Sequence, residues 1–138
     1  YSEELYEKVL LAVIANYALE RIQFMASFAV TFSICNTGLF QPIGMAVQKI
    51  AQDEYEIHAK YGQEILKVEL ATERGKRAFQ RIKPTVIQML DEIVTSELNW
   101  LPNILPDGKH LPGGTLQTFQ NWTLFSVGFG KTIPVHLH

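Results

Sequence analysis

The chain has 138 residues, 47% of them hydrophobic and 19% charged, a balance that suits one compact domain or one large piece of a bigger one and excludes intrinsic disorder. Its net charge is −2, so no global basic field is present to recruit nucleic acid. The single cysteine, Cys35, cannot close an internal disulfide, and a reducing, cytoplasmic setting is expected.

The first predicted helix runs from about Ser2 to Ile34, free of Pro and Gly, with Glu3 and Glu4 in its first turn. From Val9 to Cys35 it is apolar on nearly every face, as in a helix at the middle of a bundle. A membrane span is not expected, because the apolar runs Val9–Leu19 and Phe24–Cys35 are short and separated by Glu20, Arg21 and Gln23. No signal peptide is evident, and the opening Tyr1 suggests numbering that starts inside a longer or processed product. Asn36-Thr37-Gly38 ends the helix, with Gly38 as its left-handed cap.

Gln41-Pro42 opens a second helix that continues to about Glu73, with Met45, Ile50, Ile57, Tyr61, Ile65 and Val68 recurring at helical spacing. A third helical stretch spans Arg74 to Trp100. Pro84 is expected to break or begin it, leaving Pro84–Leu98 continuous. A turn-rich loop follows through Pro102, Pro106-Asp107-Gly108 and Pro112-Gly113-Gly114. Thr115–Val127 reads as a short fourth helix capped by Thr115, and the remaining tail as extended. With no strand alternation, the expected class is all-α, built of long antiparallel helices.

Two features point to chemistry. Glu20 lies mid-helix in apolar sequence, where an ionised carboxylate costs several kcal/mol unless a cation meets it. A pair with Arg21, or with an arginine of another helix, would meet that need, as would a wet helix face. Glu54 and His58 are four residues apart and so lie about 40° apart on one helix face. A carboxylate and an imidazole so placed suit a transition metal, although most such pairs are surface ion pairs. Dimetal carboxylate proteins of the ferritin-like type use one Glu from each of two helices and a Glu/His pair from each of two more. Glu20 with Glu54 and His58 is half of that set.

The stretch A-L-E-R-I-Q-F-M-A-S-F-A (Ala18–Ala29), followed by K-I-A-Q-D-E-Y-E-I-H (Lys49–His58), resembles the small, radical-generating subunit of class I ribonucleotide reductase, closest to bacterial and phage forms. The segment P-D-G-K-H-L-P-G-G-T-L (Pro106–Leu116) continues the likeness more faintly. The resemblance implies a ferritin-like helical bundle of which residues 1–138 are the C-terminal half. It implies Glu20, Glu54 and His58 as ligands of a dinuclear Fe or Mn centre, Phe24, Phe28 and Ile50 as the apolar wall around a radical-bearing tyrosine, and Asp53 as a catalytic carboxylate in the radical-transfer hydrogen-bond chain. Periodicity alone favours plain core for the three apolar residues, and the alternative for Asp53 is a solvated helix acid. The implied partners are the missing N-terminal half, a second small subunit and the large subunit that reduces ribonucleotides. The family usually places Glu and His three apart; the four-residue spacing here is one that a π-bulge would absorb.

Two other functions remain open on the residues alone: a homodimeric dimetal oxidase or metal store completed by symmetry, and a non-catalytic helical interaction module. The run Gly128–Thr132 lacks the first glycine of a phosphate loop, Asn121-Trp122-Thr123 is a sequon without evidence of secretion, and His136 and His138 read as solvated. Cys35 reads as a small core residue at a helix end.

Overall fold

The computed structural model describes residues 2–104, 110–111 and 114–115. Its framework is three long helical rods running up, down and up. The first rod is α1 (Glu3–Ala18), a π-helical turn (Leu19–Gln23) and α2 (Phe24–Cys35) in unbroken succession. The second is α3 (Gln41–Asp53), a second π turn (Glu54–His58) and α4 (Ala59–Ala71). The third is α5 (Glu73–Ile104). Two two-residue strands follow, β1 (His110–Leu111) and β2 (Gly114–Thr115), paired antiparallel with His110 opposite Thr115. This ladder is absent from the sequence-based expectation, and it takes up Thr115, the expected cap of a fourth helix. The rest of that helix, the tail, the sequon and the two tail histidines lie outside the described residues.

Local chemistry sets each boundary. Ser2 caps α1 by accepting the Leu5 amide on its hydroxyl at 3.1 Å. Between the first two rods the chain reverses within five residues: Gly38 takes φ +90° and Phe40 φ +53°, and the Phe40 carbonyl accepts the amides of Ile43 and Gly44. The return is close because Gly44 has no side chain; a Cβ there would lie 2.8 Å from Cys35 Sγ. Between the second and third rods Thr72 is extended, and its hydroxyl donates to the Glu69 carbonyl while accepting the Gly75 amide.

The main core joins α1, α4 and α5 through Leu10, Ile14, Tyr17, Ala59, Leu66, Ala78, Phe79, Ile82 and Val86. A smaller cluster packs Leu101 of α5 on Ala26 and Val30 of α2. Arg81 pairs with Glu3 and Glu7, and Arg74 with Glu3, so α5 starts beside the start of α1. These are solvent-facing pairs, each worth about 0–1 kcal/mol. The run Glu3–Cys35 is long and apolar enough, by length and composition, to cross a membrane. Here its apolar positions Leu10, Ile14, Tyr17, Ile22, Ala26 and Val30 are buried in the protein instead.

One sequence-based expectation is corrected. Pro84 does not break the third helix: α5 passes through both Pro84 and Pro102. The missing amide of Pro84 frees the carbonyl of Gln80, and both residues are exposed, so water can satisfy it. Packing on either side, by Phe79 and Ile82 before the proline and Val86 after it, holds the helix together. The apolar stripe of the second rod, which spacing alone could not place inside or outside, faces outward. Met45, Ile50, Ile57, Tyr61 and Val68 are exposed, and the rod meets the first one through Gly44, Ala59, Gly62 and Leu66. Small residues let the rods approach, so that Tyr17 packs directly over Gly62.

Two glycines in this frame should respond differently to the same change. A Cβ on Gly75 would lie 1.9 Å from the Glu69 carbonyl oxygen, which is backbone and cannot swing away, whereas one on Gly62 would meet Tyr17 at an ordinary 3.5 Å. Gly75→Ala is expected to cost about 2–3 kcal/mol and Gly62→Ala less than about 1 kcal/mol, measured by thermal or urea unfolding. Equal costs would show that the Thr72 corner tolerates displacement.

Candidate metal centre

Both π turns carry acid. A π turn admits one extra residue into a helix and is found mostly at functional sites. Glu20 lies in the first turn, and Glu54 and His58 open and close the second. The two turns pack against each other at the middle of the rod pair. One donor atom from each of Glu20, Glu54 and His58 falls within 4.8 Å of the others. Glu20 is buried at 8% exposure, the Glu54 side chain is 14% exposed and the His58 side chain 54%, so the group runs from the interior to the surface.

Hydrogen bonding leaves this group unfinished. His58 donates from Nδ1 to Glu54 Oε2 at 2.5 Å, and a carboxylate oxygen of Glu20 lies within 4.8 Å of a donor atom of each. The second oxygen of Glu20, Oε2, is buried without a hydrogen-bond partner. Burial first, then the adjacent Glu54, pushes the Glu20 carboxyl up to about 7. The bond from Glu20 holds Glu54 below the usual carboxylate range, with His58 acting in the same direction. The Glu54 bond raises His58. Two carboxylates thus share one proton where a cation would satisfy both, and the donors are oxygen and imidazole nitrogen, which suit Fe or Mn. On chemistry and position the residues fit a metal.

Arg21, one of the groups that could have met the Glu20 charge, turns instead to the Tyr55 ring, with its guanidinium carbon 4.5 Å from the centroid. Phe24 and Phe28 are half-buried and stack in sequence along α2, at 5.8 Å between centroids, with Phe32 beyond them at 6.5 Å. Ile50 is 48% exposed, and Asp53 is exposed at the end of α3, outside the donor group. The four-residue Glu54/His58 spacing coincides with a π turn. Nothing in the sequence marks the first π turn, and the Arg21–Tyr55 contact has no motif, although both residues directly follow a candidate ligand.

The shared proton gives metal-free stability a pH dependence. The folded chain holds a proton on Glu20 between about pH 4.5 and 7 that the unfolded chain has released, so this contribution falls as pH rises through that window. The raised His58 loses its contribution in the same direction, above its ordinary value of 6.5. The lowered Glu54 acts only toward acid, where its contribution is lost as pH falls through its depressed folded value. Chelator-treated protein should therefore melt several degrees lower at pH 8.5 than at pH 5.5, and Glu20→Gln should flatten most of that difference. A pH-independent melting temperature would mean that Glu20 and Glu54 do not share the proton.

The chain matches no curated protein and no solved structure. The family model for the ribonucleotide reductase small chain matches residues 1–127, which covers every element described here. With an all-α, ferritin-like framework and a carboxylate–imidazole group at the contact of its first two rods, the chain belongs to the ribonucleotide reductase small chain family.

Proposed function

We propose that this chain supplies Glu20, Glu54 and His58 to a dinuclear iron or manganese centre of a ribonucleotide reductase small subunit, and that the assembled subunit serves ribonucleotide reduction by a separate large subunit. The observation that carries this reading is the convergence of two carboxylates and an imidazole, one buried oxygen of which has no hydrogen-bond partner, within a chain of this family. When bound, the metal pair supplies the oxidising chemistry that turns a tyrosine into a radical.

The roles of the chain's own residues follow from their positions. Glu20 and Glu54 exchange their shared proton for metal, so uptake releases a proton and strengthens as pH rises. His58 must likewise give up the Nδ1 proton it lends to Glu54. Phe24 and Phe28 keep water from the interior side of the centre, and Ile50 does so once covered. Asp53 stands one residue before Glu54, about 100° around the helix from it, and so faces away from the shared site. There it accepts the free N–H of a ligand histidine from another helix and forms a link in the radical path.

Three donors are too few for two metals. The remaining carboxylates and histidines come from outside the described residues, from the N-terminal half of the bundle, with residues 1–138 as the C-terminal half. The complete subunit pairs with a second copy and works in the cytoplasm.

Mixing the chain with that complementary half should produce Mn(II) or Fe(II) uptake and, with iron and O₂, a tyrosyl radical signal by electron paramagnetic resonance. Glu54→Ala should weaken metal uptake at least tenfold. Asp53→Asn should keep the metal and lose nucleotide reduction. A radical formed by residues 1–138 alone would refute the half-set reading, and metal uptake untouched by Glu54→Ala would refute the ligand assignment.

A further inference from the structure

A π turn holds one extra residue within a helix. Were that residue placed one position further along, the side chains in between would swing by about 100°. In the second rod that would carry Glu54 or His58 off the face that meets Glu20. The Glu54–His58 side-chain bond joins the two ends of the turn to each other but not to the first rod, and Asp53 supplies no side-chain cap, so a further contact is needed to hold the bulge against that rod.

The only described cation–π contact within this part of the molecule spans the two turns. Arg21 follows Glu20 in the first π turn, and Tyr55 follows Glu54 in the second. The Arg21 guanidinium lies over the Tyr55 ring at 4.5 Å. Its Nε is buried without a hydrogen-bond partner, so the ring face is the group that compensates this part of the cation. On its other side Arg21 lies beside Tyr17, whose phenol is raised by burial and drawn back by the Arg21 charge. Tyr17 in turn is packed into the main core, against Gly62. A rigid core residue, a cation and an aromatic ring thus form a connected series that ends on the residue inside the bulge.

We propose that Arg21 and Tyr55 form a positioning clamp that fixes the register of the second π turn and so keeps Glu54 and His58 aimed at Glu20. Neither residue touches the candidate metal position; both act through the backbone that carries the ligands. The inference rests on the ligand roles given to Glu54 and His58, but the clamp itself is a property of the chain without metal.

The experiment uses Tyr55→Phe, which keeps the ring, Tyr55→Leu, which removes it, and Arg21→Met, which keeps the stem and removes the charge. Amide hydrogen exchange read by nuclear magnetic resonance follows residues 54–58, with the α5 amides as an internal reference. A cation–π contact of this kind predicts about three- to tenfold faster exchange at residues 54–58 in Tyr55→Leu and Arg21→Met. Exchange in α5 should be unchanged, wild-type rates should hold in Tyr55→Phe, and the double variant should be no faster than either single one. The ¹⁵N signals of the His58 imidazole at one fixed pH should shift in the two disrupting variants and not in Tyr55→Phe. Unchanged exchange in both disrupting variants, equal acceleration in α5, or a Tyr55→Phe as fast as Tyr55→Leu would each overturn the clamp. Mn(II) titration of the assembled subunit separates the two readings. If the wild type takes up Mn(II), Tyr55→Leu should bind it three- to tenfold more weakly, and equal binding would overturn the clamp. If the wild type takes up none, the ligand reading fails, and the exchange and imidazole data still decide the clamp.

Discussion

The meeting of Glu20 with Glu54 is the contact on which the centre of this structure depends. An acid in the middle of an apolar rod is a liability of several kcal/mol when charged and alone. The chain does not remove that cost with the nearest cation, since Arg21 turns to Tyr55. Instead it sets a second carboxylate beside the first, and burial with that neighbour raises the Glu20 carboxyl so that it keeps its proton to higher pH. Such an arrangement makes little sense as a device for stability, because an apolar pair of similar size would serve better. It makes sense as a place kept ready for a positive charge.

The surroundings follow from that contact. Both rods widen into π turns at the same level, which brings acid-bearing backbone inward without ending either helix. Small residues on the second rod, Gly44, Ala59 and Gly62, let the rods approach on each side of the turns. The third rod covers the first at both ends of its length, through Phe79 and Ile82 near one end and Leu101 near the other. The apolar stripe of the second rod, by contrast, points outward. Among the described residues that face is apolar, periodic and exposed along both helices of the rod.

Much of this was legible in the sequence, and the exceptions have physical causes. A long segment without Pro or Gly announced the first rod, apolar residues at helical spacing announced the second, and Glu20 announced itself by standing in apolar sequence. Glu54 and His58 were found by spacing, and their four-residue separation already suited a widened turn. Periodicity named an apolar stripe but could not say whether anything covers it, and its members Met45 and Tyr61 prove exposed. Pro84 misled because its local penalty is certain, while the packing that outweighs it comes from residues distant in sequence. The first π turn and the Arg21–Tyr55 contact left no trace, since both arise only when two rods lie side by side.

The tight reversal at Gly38 and Phe40 has a consequence for how the chain reaches this state. Glu20 and Glu54 are separated by 34 positions, and one short corner brings them together. The entropy lost in closing that loop is small, and helical growth on either side of the corner meets few competing pairings. The register of the corner then sets the level at which the two acids pass each other, at about 1.5 Å per residue of helix. Lengthening or shortening the segment between Cys35 and Gln41 by a single residue would displace one π turn past the other along the rods. Assembly of the acid pair is thus a local event in folding, governed by a corner that lies well over a dozen residues from either carboxylate.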